Sequence, residues 1–210
     1  MKVECVDFKD RSSRSEFIAR RFQTVLKGKI LDVGCDKAVL KKLLPQAEYT
    51  GVDIGGEPDI QVNLEEAGRL PFPDNSFDCV VCTDVLEHLE NLHQIFGELV
   101  RVSRRHLIIS LPNNWTNARV PIARGRGSFG KYGLPAEKPI DRHKWFFSLS
   151  EAADFIQAQT HKFPLVCREM FATEKPRPAL VRGARRLRYP VMEHYLNRYA
   201  HTVWALLEKR

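Results

Sequence analysis

The sequence lacks the features of a membrane-spanning, secreted or disulfide-rich protein. None of its apolar runs approaches the roughly 20 residues that a helix needs to cross a bilayer. Residues 1–7 have no apolar core like that of a signal peptide. The five cysteines are an odd number without regular spacing, which does not suggest a disulfide framework. We therefore expect a cytoplasmic protein, and its 210 residues, 43% hydrophobic and 28% charged, fit one globular domain.

Residues with metal-ligand spacing are also scarce. Cys79 and Cys82 are three apart, as in many zinc sites, but they lie inside an apolar run that predicts a strand. Residues three apart on a strand point to opposite faces, and no second pair follows. Asp84, Glu87 and His88 could be interpreted as ligands, but we expect no metal site.

Positive charge is concentrated near the C-terminal end. The net charge is +7, and residues 173–210 contain nine Lys or Arg against three Glu. Within residues 174–189, six basic residues alternate with apolar ones such as Leu180 and Leu187. This segment is either a solvated face or a surface for an anionic partner. Because no RNA-recognition motif is present, an anionic membrane or a phosphorylated substrate is favoured over nucleic acid.

Strand and helix patterns alternate from residue 29 to residue 111, which predicts βαβ units and a parallel sheet. Predicted strands cover 29–34, 48–54, 59–63, 77–83, 106–111, 163–171 and 201–208. Predicted helices cover 37–44, 91–102 and 148–160, and a further helix begins near a capping box at Ser13 and runs to about Leu26. Residues 113–141 are too long for a plain connection, so we expect a functional or mobile loop.

These patterns predict a single domain over residues 1–210. It would contain an N-terminal helix at 1–27, a ligand-binding core at 28–112, and an insertion or acceptor loop at 113–147. Residues 148–210 would complete the sheet and carry a basic insert at 174–199.

The most informative motif is a buried strand that breaks at Gly34, between Asp32 and Asp36. A second strand ends at Asp53, and this plan is how α/β folds bind a nucleoside. A dinucleotide fingerprint would have three glycines, but only Gly34 is present and Asp36 opposes a pyrophosphate. Acidic walls suit a ligand with positive charge, such as S-adenosylmethionine.

Further motifs follow in order: Leu70-Pro-Phe-Pro-Asp-Asn-Ser-Phe-Asp78, an apolar strand, and Thr83-Asp-Val-Leu-Glu-His-Leu89. Residues 28–112 resemble the class I S-adenosylmethionine-dependent methyltransferases, specifically the small-molecule group that includes the ubiquinone and menaquinone methyltransferases. The resemblance implies a Rossmann-like three-layer sandwich with a seven-stranded, mostly parallel sheet and an antiparallel last strand. It also implies methyl transfer to a small-molecule, lipid-linked or glycan-linked acceptor, releasing S-adenosylhomocysteine.

Two other functions stay open. One is an RNA methyltransferase that uses the basic C-terminal segment. The other is a non-catalytic interaction module, because the family usually has a glycine where this chain has Asp36.

The resemblance assigns the methionine and ribose ends of the cofactor to the first two strands. Asp32, Gly34 and Cys35 would line the methionine end, and the Gly34 backbone would lie close to it. Asp53 would bind the two ribose hydroxyls. Aspartate tolerates positive φ better than most residues, so the turn can accept Asp36.

The resemblance assigns adenine and ammonium contacts to the following strands. Ile54 would pack against adenine, and Asn63 and Leu64 would lie beside its ring. Thr83 and Asp84 end the fourth strand, where a backbone carbonyl of the family often contacts the methionine ammonium.

Two histidines are candidate catalytic residues. His88 would be a general base near the acceptor, or it would only shape the loop after the fourth strand. His143 lies in Asp141-Arg-His-Lys-Trp-Phe-Phe147, which is either an acceptor site or a loop anchored by aromatic residues. Methyl transfer is a direct displacement, so alignment alone can suffice.

Overall fold

A computed structural model of the chain describes residues 1–128, 130–139 and 141–210. Its centre is an eight-stranded sheet with the order β1-β7-β8-β6-β5-β2-β3-β4. The strands are β1 (Lys2–Cys5), β2 (Lys29–Val33), β3 (Glu48–Asp53), β4 (Ile60–Gln61), β5 (Phe77–Thr83), β6 (Ser103–Pro112), β7 (Leu165–Glu174) and β8 (Ala200–Lys209).

Helices cover both faces of this sheet. They are α1 (Arg11–Arg21), α2 (Val39–Leu43), α3 (Leu64–Ala67), α4 (Leu92–Val102), α5 (Asn114–Arg124), α6 (Leu149–Lys162), α7 (Ala179–Arg188) and α8 (Met192–Tyr199). The larger core cluster packs α4 and α6 on one face, and Phe17 and Phe22 pack against Trp204 on the other. None of the helices in the described ranges is long and apolar enough to cross a membrane.

The predicted fold class is confirmed, with one strand more than expected. Strands β2 to β6 pair in parallel, and β8 lies antiparallel between β6 and β7. The additional strand is β1, which pairs in parallel with β7. Its four residues are too few to give a clear alternating pattern, so the sequence did not predict it.

Some predicted boundaries were wrong. Helix α1 begins after Asp10, whose carboxylate accepts from Ser13 N at 2.8 Å, so Ser13 is inside the helix and is not its cap. It ends at Arg21, before Leu26. Part of the predicted loop at 113–141 is helix α5. The cap of α6 is confirmed, because Ser148 and Glu151 form a capping box.

The predicted ligand site lies where parallel strands β2, β3, β5 and β6 end, which we call the carboxyl edge. Its positions are Gly34, Asp53, Thr83 and Pro112. The connection between β7 and β8 lies at the same edge, because Pro112 pairs with Thr202 near the start of β8. In open α/β sheets this edge is where ligands bind.

Candidate functional site

The turn after β2 can form only because residue 34 is a glycine. Gly34 has φ +82, and a Cβ there would lie 2.2 Å from Val85 Cγ2. Its N–H donates to Val52 O at 2.8 Å, which fixes the turn against β3. The next positions continue in the left-handed region, with Asp36 at φ +48 and Ala38 at φ +47. Aspartate therefore replaces the family's glycine and keeps the turn.

Asp53 is held in place by the same turn. Its carboxylate accepts from Asp36 N at 2.8 Å and from Gly55 N at 3.2 Å. The Asp36 carboxylate points elsewhere and lies 2.8 Å from Arg11 of α1. An ionised carboxylate has about four acceptor sites, so Asp53 can also accept from two hydroxyls.

Asp32 and Cys35 are buried beside the turn. The Asp32 carboxylate accepts from the Tyr49 hydroxyl at 2.6 Å, and burial raises the pKa of Asp32 to about 6. Burial, helped by Asp32 and Asp53, raises the pKa of Cys35 to about 12, so this thiol stays protonated. The Asp32 side chain therefore supports the turn through Tyr49, a partner that the sequence did not reveal.

The residues assigned to adenine differ in exposure. Ile54 is 57% exposed at the carboxyl edge, directly after Asp53. Asn63 caps α3, since its side-chain oxygen accepts from Glu65 N at 3.1 Å. Leu64 is buried in the core. An exposed isoleucine beside the Asp53 carboxylate suits an apolar ring.

Thr83 and Asp84 end β5 at the centre of the edge. Asp84 has φ +52, and its carboxylate accepts from the Ser110 hydroxyl at 2.6 Å. It also pairs with Arg14 of α1. Arg14 and Arg11 thus bring two positive charges from α1 to the carboxyl edge, and no sequence motif indicated either contact.

The structure brings the two candidate histidines together, although 55 positions separate them in the sequence. The rings of His88 and His143 are 4.5 Å apart in an edge-to-face arrangement. Asp141 Oδ1 lies 2.5 Å from His88 Nδ1, and Glu87 Oε1 lies 3.8 Å from His88 Nε2. His143 Nδ1 lies 3.0 Å from the Tyr132 hydroxyl and 3.2 Å from Asn114 Nδ2.

Charge and burial shift the pKa values of His143 and Glu87 in opposite directions. Burial, together with nearby His88 and Lys131, lowers the pKa of His143 to about 4, so its ring is neutral at pH 7. Glu87 is 1% exposed, and its Oε2 has no hydrogen-bond partner in the described part of the chain. Burial and the nearby Asp84 raise the pKa of Glu87 well above its ordinary value, which favours the protonated form of this carboxyl.

Glu87, His88 and His143, here called the histidine cluster, each offer a ligand atom within 4.8 Å of the others. These atoms could hold a metal ion, and they are equally suited to passing a proton. The absence of a metal stays a prediction.

An apolar cavity of about 190 Å³ opens beside the histidine cluster. Leu92, Leu111, Phe147 and Phe155 line it, and Glu87 lies in its wall. Trp145 also lines it and is fixed by donating from Nε1 to Leu89 O at 2.7 Å. The predicted acceptor motif therefore forms part of a cavity, whereas Arg142 and Lys144 do not line it.

Comparisons with known proteins agree with this arrangement. A family profile described as a methyltransferase domain matches residues 31–109. A search of curated proteins finds none that matches.

Several solved structures share the fold. A SAM-dependent methyltransferase from Archaeoglobus fulgidus is 16% identical, with a TM-score of 0.60 over 96% of this chain and 95% of its own. The small RNA methyltransferase HEN1 is 15% identical, with a TM-score of 0.63 over 100% of this chain and 27% of its own. Magnesium protoporphyrin IX methyltransferase from Synechocystis PCC 6803, solved with bound SAH, is 15% identical, with a TM-score of 0.56 over 95% of this chain and 84% of its own.

At these sequence identities the similar structures show the fold alone. The matched methyltransferase domain supports the activity. The narrower resemblance to the ubiquinone and menaquinone methyltransferases stays a prediction. The matched profile identifies residues 31–109 as a methyltransferase domain, and the fold shared with a SAM-dependent methyltransferase over 96% of the chain supports S-adenosylmethionine as its cofactor.

Proposed function

We propose that this methyltransferase acts on an acceptor with an apolar portion, either a small molecule or a lipid-linked or glycan-linked compound. The observation that carries the proposal is the apolar cavity, which has Glu87 of the histidine cluster in its wall. The apolar portion of the acceptor would fill the cavity and expel water. Its nucleophilic atom would then lie near the histidine cluster.

The residues at the edge fit S-adenosylmethionine, which supplies an electrophilic methyl group. Asp53 would accept from the ribose hydroxyls, because two backbone N–H groups already fix its orientation. The exposed Ile54 side chain would cover one face of adenine. Thr83 and Asp84 would lie at the methionine end, where a backbone carbonyl would accept from the ammonium group, because the Asp84 carboxylate is already paired with Arg14.

His88 is the group best placed to remove a proton from the acceptor. Asp141 orients its ring and stabilises the imidazolium that forms, as a carboxylate does in other acid–base dyads. The neutral His143 ring and the Tyr132 hydroxyl would hold the acceptor by hydrogen bonds. Most of the rate would still come from alignment in a water-poor cavity.

We further propose a cytoplasmic protein that contacts an anionic membrane or a phosphorylated substrate through residues 174–189. An RNA acceptor is the second candidate, since the same segment is basic. It would require tight, salt-sensitive RNA binding that is lost when Arg182, Arg185 and Arg186 are replaced by Glu.

Titration calorimetry with S-adenosylhomocysteine tests the cofactor site. Asp53→Ala should weaken binding about 100-fold or more, because two hydrogen bonds to a charged group are worth about 3 kcal/mol together. Glu48→Ala is the matched control: Glu48 starts the same strand, its side chain is 70% exposed, and affinity should not change.

The outcomes separate the possibilities. If the wild-type chain does not bind the ligand at millimolar concentration, the enzyme function is wrong and the non-catalytic alternative gains support. If Asp53→Ala and Glu48→Ala bind equally well, the assignment of Asp53 is wrong.

A further inference from the structure

Helix α7 exposes an apolar stripe at the carboxyl edge of the molecule. Leu180 is 88% exposed and Leu187 is 86% exposed, and none of the helix is buried. Leu180, Ala184 and Leu187 are spaced by four and three residues, so they share one helix face. Two almost fully exposed leucines on one face mark a surface that none of the described residues covers.

The arginines of α7 lie toward the protein, so the stripe faces away from it. The guanidinium of Arg185 is 4.3 Å from the ring centre of Tyr199, and that of Arg186 is 4.7 Å from Tyr195. Cation–π contacts of this kind favour a fixed position. An amphipathic helix that packs on a core does the reverse and buries its leucines.

A buried acidic group anchors the helix. Glu174 is 1% exposed, accepts from the Tyr195 hydroxyl at 2.7 Å, and lies 2.8 Å from Arg182 Nε. The start of α7 and the start of α8 are therefore tied to the end of β7. The stripe belongs to a docked helix and is not a frayed end.

We propose that the Leu180–Leu187 stripe inserts into the surface of a bilayer that contains anionic phospholipids. Helix α7 carries four arginines and no acidic residue. Lys175 and Arg177, both exposed, precede it. The leucines would lie among the acyl chains in the interface plane, and the exposed Lys175 and Arg177 would lie at the phosphates.

Two other occupants fit these observations less well. Nucleic acid binds through phosphate contacts and gives no reason for exposed leucines. A second copy of α7 would bring eight arginines together without an acidic residue from either helix, and like charges repel.

The position of α7 links docking to methyl transfer. Glu174 pairs with Ala200 at the ends of β7 and β8, next to the end of β6 at Pro112. Insertion of the stripe would therefore turn the carboxyl edge toward the bilayer, where a lipid-linked acceptor resides. Docking deepens the membrane contact of the proposed function, and this last step rests also on the proposed methyl transfer, whereas docking itself does not depend on that activity.

Vesicle flotation tests the proposal with phosphatidylcholine vesicles, with and without phosphatidylglycerol. Wild-type protein should bind only the anionic vesicles, and a variant with Leu180→Asn and Leu187→Asn should bind them about tenfold more weakly. Leu134→Asn is the control, because Leu134 is equally exposed but lies outside α7. All three proteins should bind S-adenosylhomocysteine equally well.

Each contrary result has a distinct meaning. If the wild-type chain does not bind anionic vesicles, or if the double variant binds them unchanged, the stripe does not insert. A dimer in sedimentation experiments that the double variant abolishes would assign the stripe to a second copy. Vesicle binding without S-adenosylhomocysteine binding would leave docking intact and refute the proposed function.

Discussion

At Gly34, backbone geometry and packing both oppose the addition of a single methyl group. Gly34→Ala should destabilise the protein by two separable effects. An alanine at φ +82 costs about 1–2 kcal/mol, because its Cβ approaches the backbone carbonyl. The added Cβ also lies 2.2 Å from Val85 Cγ2, and overpacking of this kind costs about 1–3 kcal/mol. We therefore expect a total loss of about 2–5 kcal/mol in the free energy of unfolding.

Val85→Ala provides the matched background. It removes Cγ2 and leaves Val85 Cβ at 3.6 Å, an ordinary contact distance. In this background Gly34→Ala should cost only the backbone part, about 1–2 kcal/mol. Urea denaturation of the four proteins measures the coupling as a double-mutant cycle, with an expected value of about 1–3 kcal/mol.

Two outcomes would refute the reasoning. If Gly34→Ala costs the same in both backgrounds, the Val85 side chain does not limit the turn. If it costs less than about 1 kcal/mol in either, residue 34 does not need a left-handed conformation.

Two further predictions concern the buried acid and the histidine cluster. Because burial raises the pKa of Asp32 from 3.8 to about 6, its contribution to stability is present below pH 3.8 and lost as the pH rises through 6. Asp32→Asn should remove this pH dependence, which is on the order of 3 kcal/mol in the free energy of unfolding. Urea denaturation at pH 4 and pH 7 measures it. If the free energy of unfolding changes equally between these pH values in both proteins, the prediction is wrong. For the histidine cluster we expect no resident metal, so EDTA should leave affinity for S-adenosylhomocysteine unchanged. Equilibrium dialysis with zinc should show equal uptake by wild type and His88→Ala, and uptake lost in that variant would contradict the expectation.

The regular part of the fold could be predicted because its signals are local. Apolar strands, Gly34 and the acidic residues at strand ends predicted the parallel sheet and its ligand-binding edge. The ion pair between Arg14 and Asp84 could not be predicted, since the two residues are 70 positions apart and no motif contains both. His88 and His143 were separate candidates for the same reason, since 55 positions separate them and no motif contains both.

Helix α7 shows a second limit of prediction from the sequence. Its sequence predicts an amphipathic helix, but periodicity does not say which face packs on the protein. Tyr189, Tyr195 and Tyr199 make cation–π contacts with the arginines of α7 and so hold the polar face against the protein. The apolar face therefore points outward, the reverse of the usual orientation. The direction depends on aromatic residues outside the helix.

The pairing of β1 with β7 has a consequence for the order of events during synthesis. Cys5 pairs with Glu174, so β1 leaves the ribosome long before the strand that receives it exists. Strands β2 to β6 pair with one another within the first 112 residues and can assemble earlier. β1 can therefore join the sheet only after β7 has emerged, and until it does the ten-residue strand β7 has an open edge that another chain can pair with.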